Sequence, residues 1–247
     1  MTSEAVPGGV GGRDSGRGGD GDSGGDGSGG GGRRTLRGLV VDWGGVLTSG
    51  MDASIARWAE GDGVDLGVYH DVIAEWLGPE LARTAWLNPI HALERGEMAV
   101  PDFEQRLAGE LSRRLGRDLP AEGLVRRMFD QFEHAHDMAA LVRRAREAGL
   151  RTALLSNSWG TEFPGDGWHG MFDEVVISGE VGMRKPERRI YEHVARGLDL
   201  PPSACVFVDD LPPNVDAAVA LGFVGIHHHS YDETAAELEA LFGIPLR

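Results

Sequence analysis

Five short apolar runs constrain the fold of this chain more than any other feature. They are continuous rather than alternating, so each strand they predict needs apolar cover on both faces, as in a parallel sheet. Helical patterns accompany the later runs, at 138–148, 186–199 and 213–221 and from 234 to the C-terminus. This order predicts an α/β fold with a doubly wound parallel sheet. The runs are 36–42, 152–158, 174–180, 204–210 and 223–229.

The long interval between the first two runs has a different, wholly helical pattern. Apolar residues recur there at three- and four-residue spacing, with prolines near the expected helix starts. We therefore predict that residues 50–135 form an inserted helical cap, and that 35–49 and 136–247 form the α/β core. The expected cap helices are 68–77, 79–87, 102–115 and 121–134.

The first 34 residues differ in composition from the rest of the chain. They hold 15 of the 38 glycines and almost no apolar side chains after Val10. Such a segment buries too little surface to offset its ordering entropy, so we expect a disordered Gly-rich tail over 1–34. It also lacks the apolar stretch of a secretory signal.

The charge balance excludes several partner classes. The formal charge of −15 would repel nucleic acid and anionic lipid surfaces. Apolar stretches stay well short of the roughly 18 residues of a membrane span, and the single cysteine, Cys205, allows no intrachain disulfide. We expect a cytoplasmic protein that binds neither nucleic acid nor membrane, and the sequence leaves its oligomeric state open.

Polar residues stand where the predicted strands end. Because the carboxyl ends of parallel strands meet at one edge of a sheet, these side chains are expected to converge. Clustered carboxylates repel one another unless a divalent cation is present, and oxygen ligands suit Mg²⁺. A hydroxyl and an ammonium beside them would hold a phosphoryl group. The residues concerned are Asp42, Ser156, Asn157, Lys185, Asp209 and Asp210.

Lys185 is the only lysine among 24 basic residues. An ammonium is a compact point charge, unlike the planar guanidinium of arginine, so this position is expected to need a lysine. By contrast, we interpret His227, His228 and His229 as solvated side chains at a strand end. Consecutive strand residues point to opposite faces and do not all reach one ion.

Four segments together resemble the motifs of the haloacid dehalogenase superfamily. They are VVDWGGVLTSG, LLSNS, RKPE and VFVDDLPPN, in that order, each at a strand end or the following turn. The resemblance covers residues 36 to about 245. It implies a Rossmann-like core with a C1-type helical cap. The motif sequences are similar to those of the subgroup IA-like phosphatases. This subgroup includes the phosphatase domain joined to epoxide hydrolases and bacterial sugar-phosphate phosphatases.

The resemblance also implies a Mg²⁺-dependent hydrolase of small phosphorylated metabolites. Asp42 would be the nucleophile that forms an aspartyl-phosphate. Ser156, Asn157 and Lys185 would bind the phosphoryl group, and Asn214 would orient the acids. The implied metal ligands are Asp42, the backbone oxygen of Gly44, Asp209 and Asp210.

Gly44 is a departure from the family pattern. The family usually has a second Asp there, which serves as general acid and base. Its loss predicts either an enzyme restricted to substrates with good leaving groups, such as acyl or aryl phosphates, or an enzyme that recruits an acid from elsewhere in the chain. The residues considered for that role are Thr48, Asp52, His70 and His91.

Two alternatives remain open at this stage. A metal-free haloacid-dehalogenase-type hydrolase also lacks the second Asp, although the adjacent Asp209 and Asp210 argue for a cation. A non-catalytic phosphate- or ligand-binding regulatory protein with a decayed site would also explain Gly44, although the retained Lys185 argues against it.

Overall fold

A parallel sheet lies at the centre of this computed structural model, which describes residues 35–78, 88–160 and 170–247. Its strands within those ranges are β1 (Gly38–Val41), β2 (Arg151–Ser156), β3 (Glu174–Ile177), β4 (Cys205–Asp209) and β5 (Val224–His227). They pair in the order β3-β2-β1-β4-β5, all parallel. The strand order reverses at β1, so the predicted doubly wound sheet is confirmed.

Helices cover both faces of the sheet. In β1, Leu39 and Val41 belong to one apolar cluster and Val40 to another, because successive side chains of a strand point to opposite faces. The first cluster packs on α6 (His136–Glu147) and α10 (Tyr231–Phe242), the second on α8 (Arg188–Gly197) and α9 (Pro212–Ala220). A short helix, α7 (Ser178–Val181), follows β3 directly.

A third apolar cluster lies among the helices between β1 and β2 and includes Trp58, Phe103 and Leu107. The first of these helices begins just after the loop that follows β1. None of the helices in the described ranges is both long and apolar enough to span a bilayer. The described helices that contribute to this cluster are α1 (Met51–Asp62), α2 (Leu66–Leu77), α3 (Pro89–Glu94), α4 (Val100–Leu115) and α5 (Leu124–Phe129).

Two predicted cap helices need comment. The helix expected over 121–134 is only Leu124–Phe129, so its predicted ends are wrong. Gly123, in the left-handed region at φ 69°, precedes it, and the chain after it is drawn into a backbone bridge between His134 and Thr48. A contact so distant in sequence leaves no local pattern. The helix expected at 79–87 lies outside the described residues.

Candidate active site

Three neighbouring strands place the predicted acidic residues at one edge of the sheet. Val41 pairs with Leu154 of β2 and with Val208 of β4. Asp42 therefore lies between the ends of these strands, level with Asp209. The sheet topology brings these acids together because the strands are parallel and in register, as the sequence predicted.

Lys185 joins two of these carboxylates. Its Nζ lies 2.8 Å from Asp42 Oδ1 and 2.7 Å from Asp209 Oδ2, and only 1% of the residue is exposed. The same nitrogen lies 5.7 Å from the centroid of the Phe207 ring. A buried ammonium is tolerated only with close anionic partners, and here it has two. The single lysine of the chain is therefore a bridge between the nucleophile candidate and Asp209.

Asp209 is held from several sides. Its Oδ1 accepts hydrogen bonds from the backbone N of Leu211 at 2.9 Å and from Asn214 Nδ2 at 3.0 Å. The backbone oxygen of Asn214 in turn accepts a bond from the Tyr191 hydroxyl at 2.9 Å. Asp209 is fully buried, so these bonds and Lys185 fix its orientation. Asn214 thus contacts Asp209, one of the acids that the family resemblance implies it orients.

The three acids form a cluster that fits a divalent cation. One oxygen from each of Asp42, Asp209 and Asp210 lies within 4.8 Å of the others. Burial raises the pKa of Asp42 against the opposing effect of Lys185, and burial, with the nearby Asp209, raises the pKa of Asp210 to about 6. Among the described residues no group bonds the buried Asp210 Oδ1. Packed carboxylates with an unsatisfied oxygen are the donor set that Mg²⁺ takes.

The second strand end supplies the predicted phosphate-binding groups. Ser156 is buried, and its hydroxyl lies 3.5 Å from the Asn157 backbone oxygen. The Asn157 side chain accepts from Lys185 N at 2.8 Å and donates to Lys185 O at 3.1 Å. Asn157 thus fixes the backbone that carries the lysine, a positioning contact that sequence reasoning did not foresee.

The loop after β1 depends on Gly45. Its φ is 72°, in the left-handed region, and a Cβ there would lie 2.1 Å from Asp210 Oδ2. Its backbone N donates to Thr48 Oγ1 at 3.0 Å, so Thr48 supports the loop. Gly44 is less constrained, because among the described residues a Cβ there would meet only Met51 Cε, at 3.7 Å. The packing of Gly45 against Asp210 has no local sequence signal.

A cavity of about 230 Å³ opens beside Asp42 and Lys185. The described residues that line it include Ser156, Asn157 and Asp210, so the predicted polar groups share one space. Most of the described residues that line it are apolar or aromatic. This part of the wall comes from Trp43, Met51, Ile55, Ile73, Leu77, Ile90, Met128, Phe129, Phe132, Trp159 and Leu211.

The four residues considered as replacement acids lie elsewhere. The described lining of the cavity contains none of them. Asp52 and His70 are exposed. Burial, Arg184 and Arg95 lower the pKa of His91 to about 4, so it is neutral at pH 7 and has no proton to lend from an imidazolium.

Sequence reasoning missed two contacts near the acids. Glu94 is buried in the cavity wall and forms an ion pair with Arg184, the residue before the lysine. His227 donates from Nε2 to the Asp210 backbone oxygen at 2.9 Å and is half-buried. His228 is also half-buried, with its Nδ1 2.8 Å from Thr234 Oγ1, so the expectation of solvated side chains is wrong for these two histidines. Both contacts near the acids depend on tertiary packing, and neither has a local sequence signal.

The haloacid dehalogenase-like hydrolase family model matches residues 36–222, and the chain belongs to that family. Mouse (Mus musculus) acyl-CoA dehydrogenase family member 10 is 28% identical over 225 residues, 87% of this chain and 20% of that protein. Sesquiterpene phosphatase astK of Aspergillus oryzae is 33% identical over 115 residues, 43% of this chain and 56% of that protein. The chain thus spans only part of each relative.

A solved structure supports the fold. HAD family enzyme bt-2542 from Bacteroides thetaiotaomicron, in complex with magnesium and inorganic phosphate, aligns with a TM-score of 0.55 at 18% identity. The alignment covers 81% of this chain and 98% of the enzyme. At that identity the likeness establishes the shared α/β architecture, so the activity has to be argued from the site itself.

Proposed function

We propose that this chain is a Mg²⁺-dependent phosphatase of small phosphorylated metabolites and that it forms an aspartyl-phosphate on Asp42. The observation that carries the proposal is the Lys185 ammonium held between Asp42 and Asp209, beside the Asp210 Oδ1 that no described residue bonds. Phosphoryl transfer brings negative charge toward a carboxylate nucleophile, and such a site has the positive charge to offset it. The phosphatase name of the Aspergillus relative agrees with this assignment.

The two oxygens of Asp42 have different roles in this proposal. Oδ1 accepts from Trp43 N at 2.7 Å and contacts Lys185, which leaves Oδ2 for the attack. Oδ2 forms a bond to phosphorus as the bond from phosphorus to the leaving oxygen breaks. The leaving group departs as an anion or takes a proton from solvent. Water then attacks phosphorus, which releases inorganic phosphate and restores the Asp42 carboxylate.

The implied metal would be held by the carboxylates of Asp42 and Asp210 and by the Gly44 backbone oxygen. Asp209 would lie next to these ligands rather than among them. When bound, Mg²⁺ supplies positive charge that offsets the acids and the phosphate oxygens. Ser156 and Lys185 would bind the phosphoryl oxygens, because both line the cavity beside Asp42. Asn157 and Asn214 would act by positioning Lys185 and Asp209.

We also propose that the helices within 50–135 act as a cap over this site. They share an apolar cluster of their own, and several of their side chains line the cavity that Asp42 borders. A helical cover of this kind excludes water from the reacting groups. It also limits the size of the substrate.

The test is phosphate release from acetyl phosphate and an aryl phosphate by the purified protein, with Mg²⁺ or with excess chelator. We expect Mg²⁺-dependent hydrolysis that Asp42→Asn abolishes. A wild-type rate no higher than that of Asp42→Asn contradicts the proposal. Dehalogenation of a 2-haloacid that persists in chelator would instead identify the metal-free hydrolase.

A further inference from the structure

We infer that the leaving group of the substrate carries a small hydrocarbon, the alkyl chain of an acyl phosphate or the single ring of an aryl phosphate, bound in the apolar part of the cavity. This inference rests on the proposed phosphatase function and names its substrate class. The cavity that begins at Asp42 and Lys185 continues along aromatic and aliphatic side chains. A group bonded to a phosphate at Asp42 would extend into that space.

An aromatic cluster forms one side of this space. The Trp43 ring stacks on Phe129 with centroids 5.8 Å apart and lies 5.6 Å from Phe132. Trp159 lies 6.2 Å from the Phe129 ring. These rings hold one another in place, so they present a preformed apolar surface. Such a surface favours a hydrocarbon without a large ordering cost.

Met51 extends this surface to the reaction centre. Its Cε is the atom nearest to where a side chain at Gly44 would begin, at 3.7 Å. A methyl group therefore borders the position at which the family usually has an acidic side chain. The loss of that acid makes the leaving-group side of the site more apolar as well as less able to donate a proton.

Several polar groups in the wall are already paired within the protein. Glu94 bonds Arg184, Asn157 bonds the backbone of Lys185, and Asn214 bonds Asp209. Each of these groups already has a protein partner, and the apolar side chains that make up most of the described wall offer a sugar hydroxyl no hydrogen bond. Burying an unpaired hydroxyl weakens binding by about tenfold or more. The wall therefore discriminates against polyhydroxylated leaving groups.

The size of the cavity limits the substrate. Its volume of about 230 Å³ is below the roughly 300–1,000 Å³ of sites for drug-sized ligands. We expect affinity to rise by about fourfold for each methylene that enters the cavity, and to level off once a short chain fills it.

The test is calorimetric binding of ethyl-, propyl-, butyl- and hexylphosphonate to the full chain with Mg²⁺. Phosphonates have a carbon–phosphorus bond that is not hydrolysed, so binding is measured whether or not the protein turns over a phosphate. The expected result is a Kd that falls about fourfold per methylene from ethyl to butyl. Glucose 6-phosphate should bind at least about tenfold more weakly than hexylphosphonate.

Two variants make the result specific to this surface. Met51 is 43% exposed, so Met51→Gln is expected to fold. This variant should reduce the gain in phosphonate affinity for each added methylene. Leu241 is 38% exposed and outside the cavity lining, so Leu241→Gln should retain the wild-type gain. A Kd independent of chain length, an unchanged gain in Met51→Gln, or tighter binding of glucose 6-phosphate overturns the inference. Failure of the phosphatase proposal is read separately, from the absence of acetyl phosphate hydrolysis.

Discussion

Restoring an acid at Gly44 is the perturbation that tests the chemistry of this site most specifically. Gly44 lies outside the left-handed region, and a Cβ there would be 3.7 Å from Met51 Cε, an ordinary van der Waals distance. The methionine is an exposed, flexible side chain that can move further. Gly44→Asp should therefore fold without backbone strain, whereas the same change at Gly45 would collide with Asp210.

The size of the effect follows from the missing proton transfer. A positioned general acid contributes about 10²- to 10⁴-fold, equivalent to about 3–5 kcal/mol of activation free energy. The gain should appear for an alkyl phosphate, whose leaving alkoxide is strongly basic. Acetyl phosphate should gain much less, because acetate leaves without protonation.

The assay is steady-state hydrolysis of both substrates with saturating Mg²⁺. Gly44→Asn is the matched control, because its side chain has the same size but does not exchange a proton. We expect a large rise in kcat on the alkyl phosphate for Gly44→Asp alone. Equal rates for the Asp and Asn variants, or equal gains on both substrates, would refute the reasoning.

Three further predictions concern the structure around the site. Lys185→Met should destabilise the metal-free protein by about 3–5 kcal/mol in urea unfolding, because it leaves two carboxylates buried without their cation. Arg188→Met, which removes an exposed ion pair, should lower the free energy of unfolding by about 1 kcal/mol or less. Equal losses of stability in the Lys185 and Arg188 variants would contradict this prediction. Gly45→Ala should abolish the rise in Tm caused by Mg²⁺, because the added methyl group displaces Asp210; a wild-type rise would count against this role. His91 should titrate by NMR near pH 4, and its contribution to stability should be lost as pH falls from about 6.5 toward 4, since the unfolded chain takes up the proton first; a midpoint near 6.5 would show that burial and the two arginines do not lower its pKa.

The sequence predicts the core of the fold well because its signals are local. Continuous apolar runs mark strands buried on both faces, and β1 shows this directly, with Leu39 and Val40 in different clusters. Because the strands are parallel, the polar residues that follow them meet at one edge of the sheet. No further sequence signal is needed to predict this. The close approach of Asp42, Lys185 and Asp209 follows from that topology.

The walls of the site are harder to predict, because they depend on packing between distant segments. Glu94 and Arg184 are 90 residues apart, and neither has a pattern that indicates its partner. The contact between Met51 and the Gly44 position depends on how α1, the first helix after β1, leaves the preceding loop. The shortened helix at Leu124–Phe129 has the same origin, since a bridge to Thr48 draws the following residues out of helical geometry.

Trapping the covalent intermediate is the most direct test of the central role given to Asp42. The protein would be mixed with excess acetyl phosphate and Mg²⁺, quenched in acid during turnover and digested for peptide mass spectrometry. We expect a phosphoryl group on Asp42 and none on the same peptide of Asp42→Asn. An unmodified Asp42 in an actively hydrolysing sample, or a phosphoryl group on another residue, would contradict the account.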